Sequence, residues 1–128
     1  MSHKMHPIGT HMLVDMHGVK AELLADEPFL ADLLVRSLQE AGFNVIRHFS
    51  HKFPGDQSGV TAMALLSESH AAFHTYPEYE LLAMDIFSCG SADPEKALEA
   101  VVAALHPSHV EKSTTVRGRD PSMTPQRP

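Results

Sequence analysis

Polar and apolar residues alternate along residues 8–17, IGTHMLVDMH. Met12, Val14 and Met16 share one parity; His11, Leu13, Asp15 and His17 share the other. A period of two predicts a strand with one apolar face. The period then changes. Phe29, Leu30, Leu33, Leu34, Val35 and Leu38 form a stripe at helical spacing; Asp26 opens it as a cap, Pro28 falls in its first turn and Gly42 ends it. Residues 43–53 read as extended, and Pro54-Gly55-Asp56-Gln57-Ser58-Gly59 is turn chemistry. Two short runs, Val60–Leu66 (VTAMALL) and residues 81–89 (LLAMDIFSC), look apolar on both parities. That predicts strands buried on both faces. Between them LSESHAAFHTYPEY (residues 66–79) is extended until Pro77-Glu78 breaks it. A second helix starts near Asp93-Pro94, buries Ala97, Leu98, Val101, Val102 and Leu105, and stops before Pro107. Residues 109–117 (HVEKSTTVR) make a last strand.

The order strand, helix, several strands, helix, strand predicts an α+β fold. Hairpin-length connections make the sheet antiparallel, with two helices packed on one face as an α/β sandwich. The second face needs a cover, and a second subunit that completes the sheet's burial is the expectation. A single domain spans residues 1–117. The tail, residues 118–128 (GRDPSMTPQRP), lacks the apolar content to pack and is expected to be disordered.

The length of 128 residues fits one domain that buries a core without staples. One cysteine, Cys89, allows no internal disulfide, and a reducing, cytoplasmic setting is the simple expectation. No apolar run approaches the ~20 residues of a membrane span, and the N-terminal residues lack a secretory signal's apolar segment. A formal charge of −6 argues against nucleic acid as a partner. The ten histidines are dispersed rather than gathered in a metal-binding tract.

The residues 66–79 concentrate the candidate chemistry: two serines, two histidines and two glutamates between apolar runs. His70 and His74 stand four apart, a zinc-binding spacing on a helix, but the flanking pattern is extended and no metal site is expected. Two ordinary hydrogen-bonded histidines account for the same pattern. Ser69, His74 and Asp85 could form a hydrolytic triad, yet the G-x-S-x-G elbow is missing. Cys89 closes an apolar run, where a lone cysteine is commonly an inert core residue. Residue types alone leave these readings open.

The array ESH-x3-HTYPEY followed by DIFSCG resembles the centre of the prokaryotic S-adenosylmethionine decarboxylase proenzymes, the small pyruvoyl-dependent class. Gly9-Thr10-His11, His51-Lys52-Phe53 and Gly59-Val60-Thr61 extend the resemblance over roughly residues 8–117. It implies that the chain cuts itself between Glu68 and Ser69 into fragments 1–68 and 69–128. The Ser69 hydroxyl would attack the preceding carbonyl to give an ester. Elimination of the β-oxygen and hydrolysis would then leave a pyruvoyl group on the second fragment. His74 matches the family's processing histidine. Thr61 matches its processing hydroxyl, commonly serine, and keeps the hydroxyl with an added methyl.

The resemblance further implies that the pyruvoyl cofactor forms a Schiff base with the substrate amine and accepts the electrons released with carbon dioxide. Cys89 matches the proton donor to the resulting carbanion; a thiol is mostly protonated at neutral pH yet gives its proton up. Glu78 matches the acid that holds the ribose hydroxyls, and Phe53 the aromatic that stacks on adenine. Glu68 and Tyr76 would border the nucleoside. Besides Thr61, the chain departs from the pattern in three places. Tyr76 stands where many relatives have tryptophan, Glu80 where many have glycine, and the turn after Phe53 is longer. The implied assembly is a homodimer with shared sites, Ser69 and Cys89 from one protomer and Thr61, His74, Phe53 and Glu78 from the other. The function implied is decarboxylation of S-adenosylmethionine to the aminopropyl donor of spermidine synthesis. A same-fold pyruvoyl enzyme acting on ornithine or arginine is the alternative, and a non-catalytic activating paralogue a second.

Overall fold

Six strands form one antiparallel sheet in the order β2-β3-β4-β5-β1-β6, with all of the helices on one of its faces. The strands are β1 (Gly9–His17), β2 (Val45–Lys52), β3 (Val60–Leu66), β4 (Ser69–Tyr76), β5 (Leu81–Ser88) and β6 (His109–Arg117). The helices are α1 (Ala21–Leu24), α2 (Glu27–Glu40) and α3 (Pro94–Leu105). This computed structural model describes residues 6–56 and 58–123. Fold class and order agree with the sequence reading. The four-residue α1 is additional, too short to leave a periodic signal.

Helix starts follow capping chemistry. The Asp26 carboxylate accepts a hydrogen bond from the Phe29 amide at 3.2 Å, and Asp93 accepts one from the Glu95 amide at 3.0 Å. Each satisfies an amide that the first helical turn leaves unpaired. Leu30, Leu33, Leu34 and Leu38 of α2, with Ala97, Leu98, Val101 and Leu105 of α3, are buried against the sheet. The sheet meets them with Met12, Val14 and Met16 of β1, Val60, Ala62, Ala64 and Leu66 of β3, and Leu82, Met84 and Ile86 of β5. The period-two reading of β1 is the observed core face.

Of the two-faced burial expected for β3 and β5, this chain itself supplies one face. Neither is buried on both faces within one chain: every second residue of each is only partly covered, and Leu65 is exposed. No helix among the described residues lies on that side. The uncovered face carries Leu13, Phe49 and Leu65 at 46%, 64% and 50% exposure, which leaves about half of the roughly 1.5–3 kcal/mol of full burial unrealised for each such side chain. Gly118 follows β6, and Pro121–Met123 form a single 3₁₀ turn. The rest of the expected disordered tail, residues 124–128, lies outside the described residues.

Candidate active site

A two-residue turn, Ser67-Glu68, joins β3 to β4, with Leu66 and Ser69 as the last facing pair. Glu68 has φ 57°. That left-handed conformation costs a residue with a Cβ about 1–2 kcal/mol, so the strain sits on the residue whose carbonyl precedes Ser69. The same carbonyl oxygen accepts a hydrogen bond from Cys89 Sγ at 2.6 Å. Ser69 is buried, its Oγ 3.4 Å from Cys89 Sγ and accepting from the Cys89 amide at 3.2 Å. Serine, Glu68 carbonyl and thiol are therefore one cluster. Gly9 makes room for it: a Cβ there would lie 2.2 Å from the Ser88 carbonyl oxygen and 3.1 Å from Cys89 Cβ.

The other predicted residues gather elsewhere. Thr61 and His74 face each other across β3 and β4, Thr61 Oγ1 lying 3.1 Å from His74 Nδ1. They open into a pocket of about 380 Å³ that Phe53, Tyr76 and Glu78 also line. Phe53 packs edge-on against His51 with ring centroids 4.7 Å apart, and its amide bonds the Gly59 carbonyl at 2.9 Å, closing the long turn. Pro77–Tyr79 form a 3₁₀ turn that presents Glu78. Glu80 ends it in the left-handed region, φ 52°. Glycine adopts that conformation without steric cost, so Glu80 carries backbone strain that a glycine there would not.

His74 is five residues along β4 from Ser69, roughly 17 Å at a strand's rise of ~3.4 Å per residue. Within one chain the histidine and hydroxyl expected to assist processing do not reach the serine. The triad reading also dissolves, because Ser69 contacts Cys89, His74 contacts Thr61, and Asp85 contacts His11 and His70. His70 and His74 sit on the same side of β4 but four residues apart, too far to share a metal.

Sequence reasoning on residue types missed one group. On the uncovered face Asp85 Oδ2 lies 2.6 Å from His11 Nε2 and 3.6 Å from His70 Nε2, and Arg117 bonds His11 Nδ1 at 3.4 Å. The signal was present in register: His11 and His70 both face Phe87, which places Asp85 diagonally beside each. It could be found only once the strand order was known.

The family model for S-adenosylmethionine decarboxylase matches residues 10–118. Among curated relatives, an S-adenosylmethionine decarboxylase proenzyme 2 of Bacillus cereus (strain ZK / E33L) is 38% identical over 111 residues, covering 86% of this chain and 89% of the relative. An S-adenosylmethionine decarboxylase proenzyme of Methanococcus maripaludis is 35% identical over 115 residues, covering 89% and 93%. An arginine decarboxylase proenzyme of Aeropyrum pernix is 39% identical over 101 residues, covering 78% and 76%. The crystal structure of the adenosylmethionine decarboxylase from Aquifex aeolicus VF5 superposes with a TM-score of 0.80 at 28% identity, covering 94% of this chain and 98% of that one.

Proposed function

This chain belongs to the S-adenosylmethionine decarboxylase family, and from that premise we propose that it is a self-cleaving, pyruvoyl-dependent enzyme acting on S-adenosylmethionine. The observation that carries the reading is the turn at Glu68-Ser69. A strained residue, a hydroxyl beside it and a thiol donating to its carbonyl are the parts that an attack on that carbonyl requires. Attack by Ser69 Oγ moves negative charge onto the Glu68 oxygen, where the Cys89 thiol already donates. The serine's position fits the cofactor it would become, since the new group would remain beside Cys89.

In the reaction itself the pyruvoyl ketone supplies an electron sink, and the chain's own residues do the rest. Cys89 holds a transferable proton beside residue 69. Phe53 offers an exposed ring face on which a purine can stack, and the Glu78 carboxylate can accept hydrogen bonds from two neighbouring hydroxyls. Their pocket is large enough for part of a nucleoside. Those two residues favour S-adenosylmethionine over the free amino acid named for the Aeropyrum pernix relative.

The two halves of the site work together if two copies pair through their uncovered sheet faces. Ser69 and Cys89 of one protomer then meet Thr61, His74, Phe53 and Glu78 of the other. The exposure of Leu13, Phe49 and Leu65 supports such a face-to-face pairing. The reaction's product would serve as aminopropyl donor in spermidine synthesis. A cytoplasmic setting suits the working thiol, and no helix among the described residues is long and apolar enough to cross a membrane.

Intact mass of the purified protein, followed by carbon dioxide release from S-adenosylmethionine, ornithine and arginine in parallel, tests the proposal. Two fragments split at Glu68/Ser69 and release from S-adenosylmethionine alone are expected. An uncut chain would remove the mechanism; release from arginine alone would transfer the enzyme to the alternative.

A further inference from the structure

Apart from its strand pairing with Leu66, the links that hold Ser69 before cleavage are ones that cleavage consumes. Its peptide link to Glu68 is cut, and its Oγ, which accepts from the Cys89 amide, departs on elimination as an oxygen of the Glu68 carboxylate. Residue 69 would then be the first residue of a strand, and chain ends fray unless something ties them down. What remains beside it is His70. The His70 side chain points to the uncovered face, half exposed, with its ring 5.8 Å from that of Phe87 and its Nε2 3.6 Å from Asp85 Oδ2.

Asp85 is itself held. His11 Nε2 lies 2.6 Å from the same carboxylate oxygen. Arg117 has only donors to offer, so His11 Nδ1 accepts from it and Nε2 is left to carry the hydrogen given to Asp85. The Arg117 guanidinium also lies over the Phe87 ring at 5.8 Å. The geometry therefore runs from β6 through β1 and β5 to the first side chain after the cleavage point.

Resting on the processing reading above, we propose that Asp85, fixed by His11, is a positioning residue: it grips His70 and so anchors the cofactor-bearing end of β4 after the chain is cut. It touches neither substrate nor cofactor, and it acts only once residue 69 has become a chain end. The self-cleavage step, in which Ser69 is still held from both sides, does not depend on it.

The test compares cleaved wild type with Asp85→Asn. The variant should cleave fully, with kcat lowered about tenfold and KM changed less than twofold. Amide hydrogen exchange at residues 70–73, read by peptide mass without substrate, should quicken at least several-fold while α2 and α3 keep their protection. Asp85→Glu, which retains the charge, should recover part of both. Should Asp85→Asn not fold, His70→Ala removes the same grip from a half-exposed side chain and should give the same exchange pattern. Exchange and kcat equal to wild type in a cleaved variant would overturn the proposal and leave the enzyme reading standing. An uncut Asp85→Asn chain would also overturn it, by assigning the carboxylate to processing. An uncut wild type would overturn both readings together.

Discussion

The two ends of β4 carry different kinds of incompleteness. At the Ser69 end every reactive atom is already engaged: Oγ with the Cys89 amide and thiol, the Glu68 carbonyl with the same thiol. That end holds the reactive atoms beside a pocket of about 410 Å³ that Gly9, Ser88 and Cys89 line, with no aromatic ring or carboxylate in its wall. At the Tyr76 end Thr61 and His74 engage each other beside an open cavity, with Phe53 and Glu78 on its rim. That end is a pocket without a reactive group. Roughly 17 Å of extended strand keeps them apart in one chain. On the proposed reading the fold divides bond-making from recognition, and a two-fold arrangement is the economical way to join them.

Substitutions can break that comparison in graded ways. Ser69→Ala should abolish both cleavage and carbon dioxide release, seen as one uncut mass, because the turn's other hydroxyl, on Ser67, precedes Glu68 and is held by Asn44 at 2.9 Å. Cys89→Ala should lower kcat by about 10²–10⁴, the usual contribution of a placed proton donor, and slow cleavage as the Glu68 carbonyl loses its donor. Unchanged turnover would remove Cys89 from its role. Glu78→Gln should leave cleavage alone and raise KM for S-adenosylmethionine about tenfold, consistent with weakening hydrogen bonds to a charged group; an equal fall in kcat would place Glu78 in the chemistry instead. Co-expression of Cys89→Ala with His74→Ala, each inactive alone, should restore about a quarter of wild-type activity. Half of the dimers would be mixed, each with one intact site of two. No recovery would confine each site to a single chain.

Much of the fold was legible because two periods dominate the chain. Alternation in β1 and the i, i+3, i+4 stripe of α2 each name a buried face, and capping aspartates name both long helices' starts. Of the two-face burial predicted for β3, one face is seen within the chain. Ala62, Ala64 and Leu66 meet the helices, while Thr61, Met63 and Leu65 are moderately apolar without being covered by anything in the same chain. Composition reports what a face tolerates, not what covers it. In the site, Ser69, Cys89, His74 and Thr61 were found through motif resemblance, and their partition into two clusters depends on register, which no single stretch encodes. The Asp85 group was invisible for the same reason: His11, His70 and Asp85 lie on three strands that only the order β4-β5-β1 makes neighbours.

The left-handed backbone at Glu68 has an energetic direction as well as a location. The intact chain must hold that conformation to keep β3 and β4 in register, whereas a free C-terminal Glu68 need not. Rejoining the ends would have to restore about 1–2 kcal/mol of strain, a factor of roughly ten in equilibrium. On the proposed reading the turn is thus a one-way latch, spent when the enzyme matures and absent from every turnover that follows.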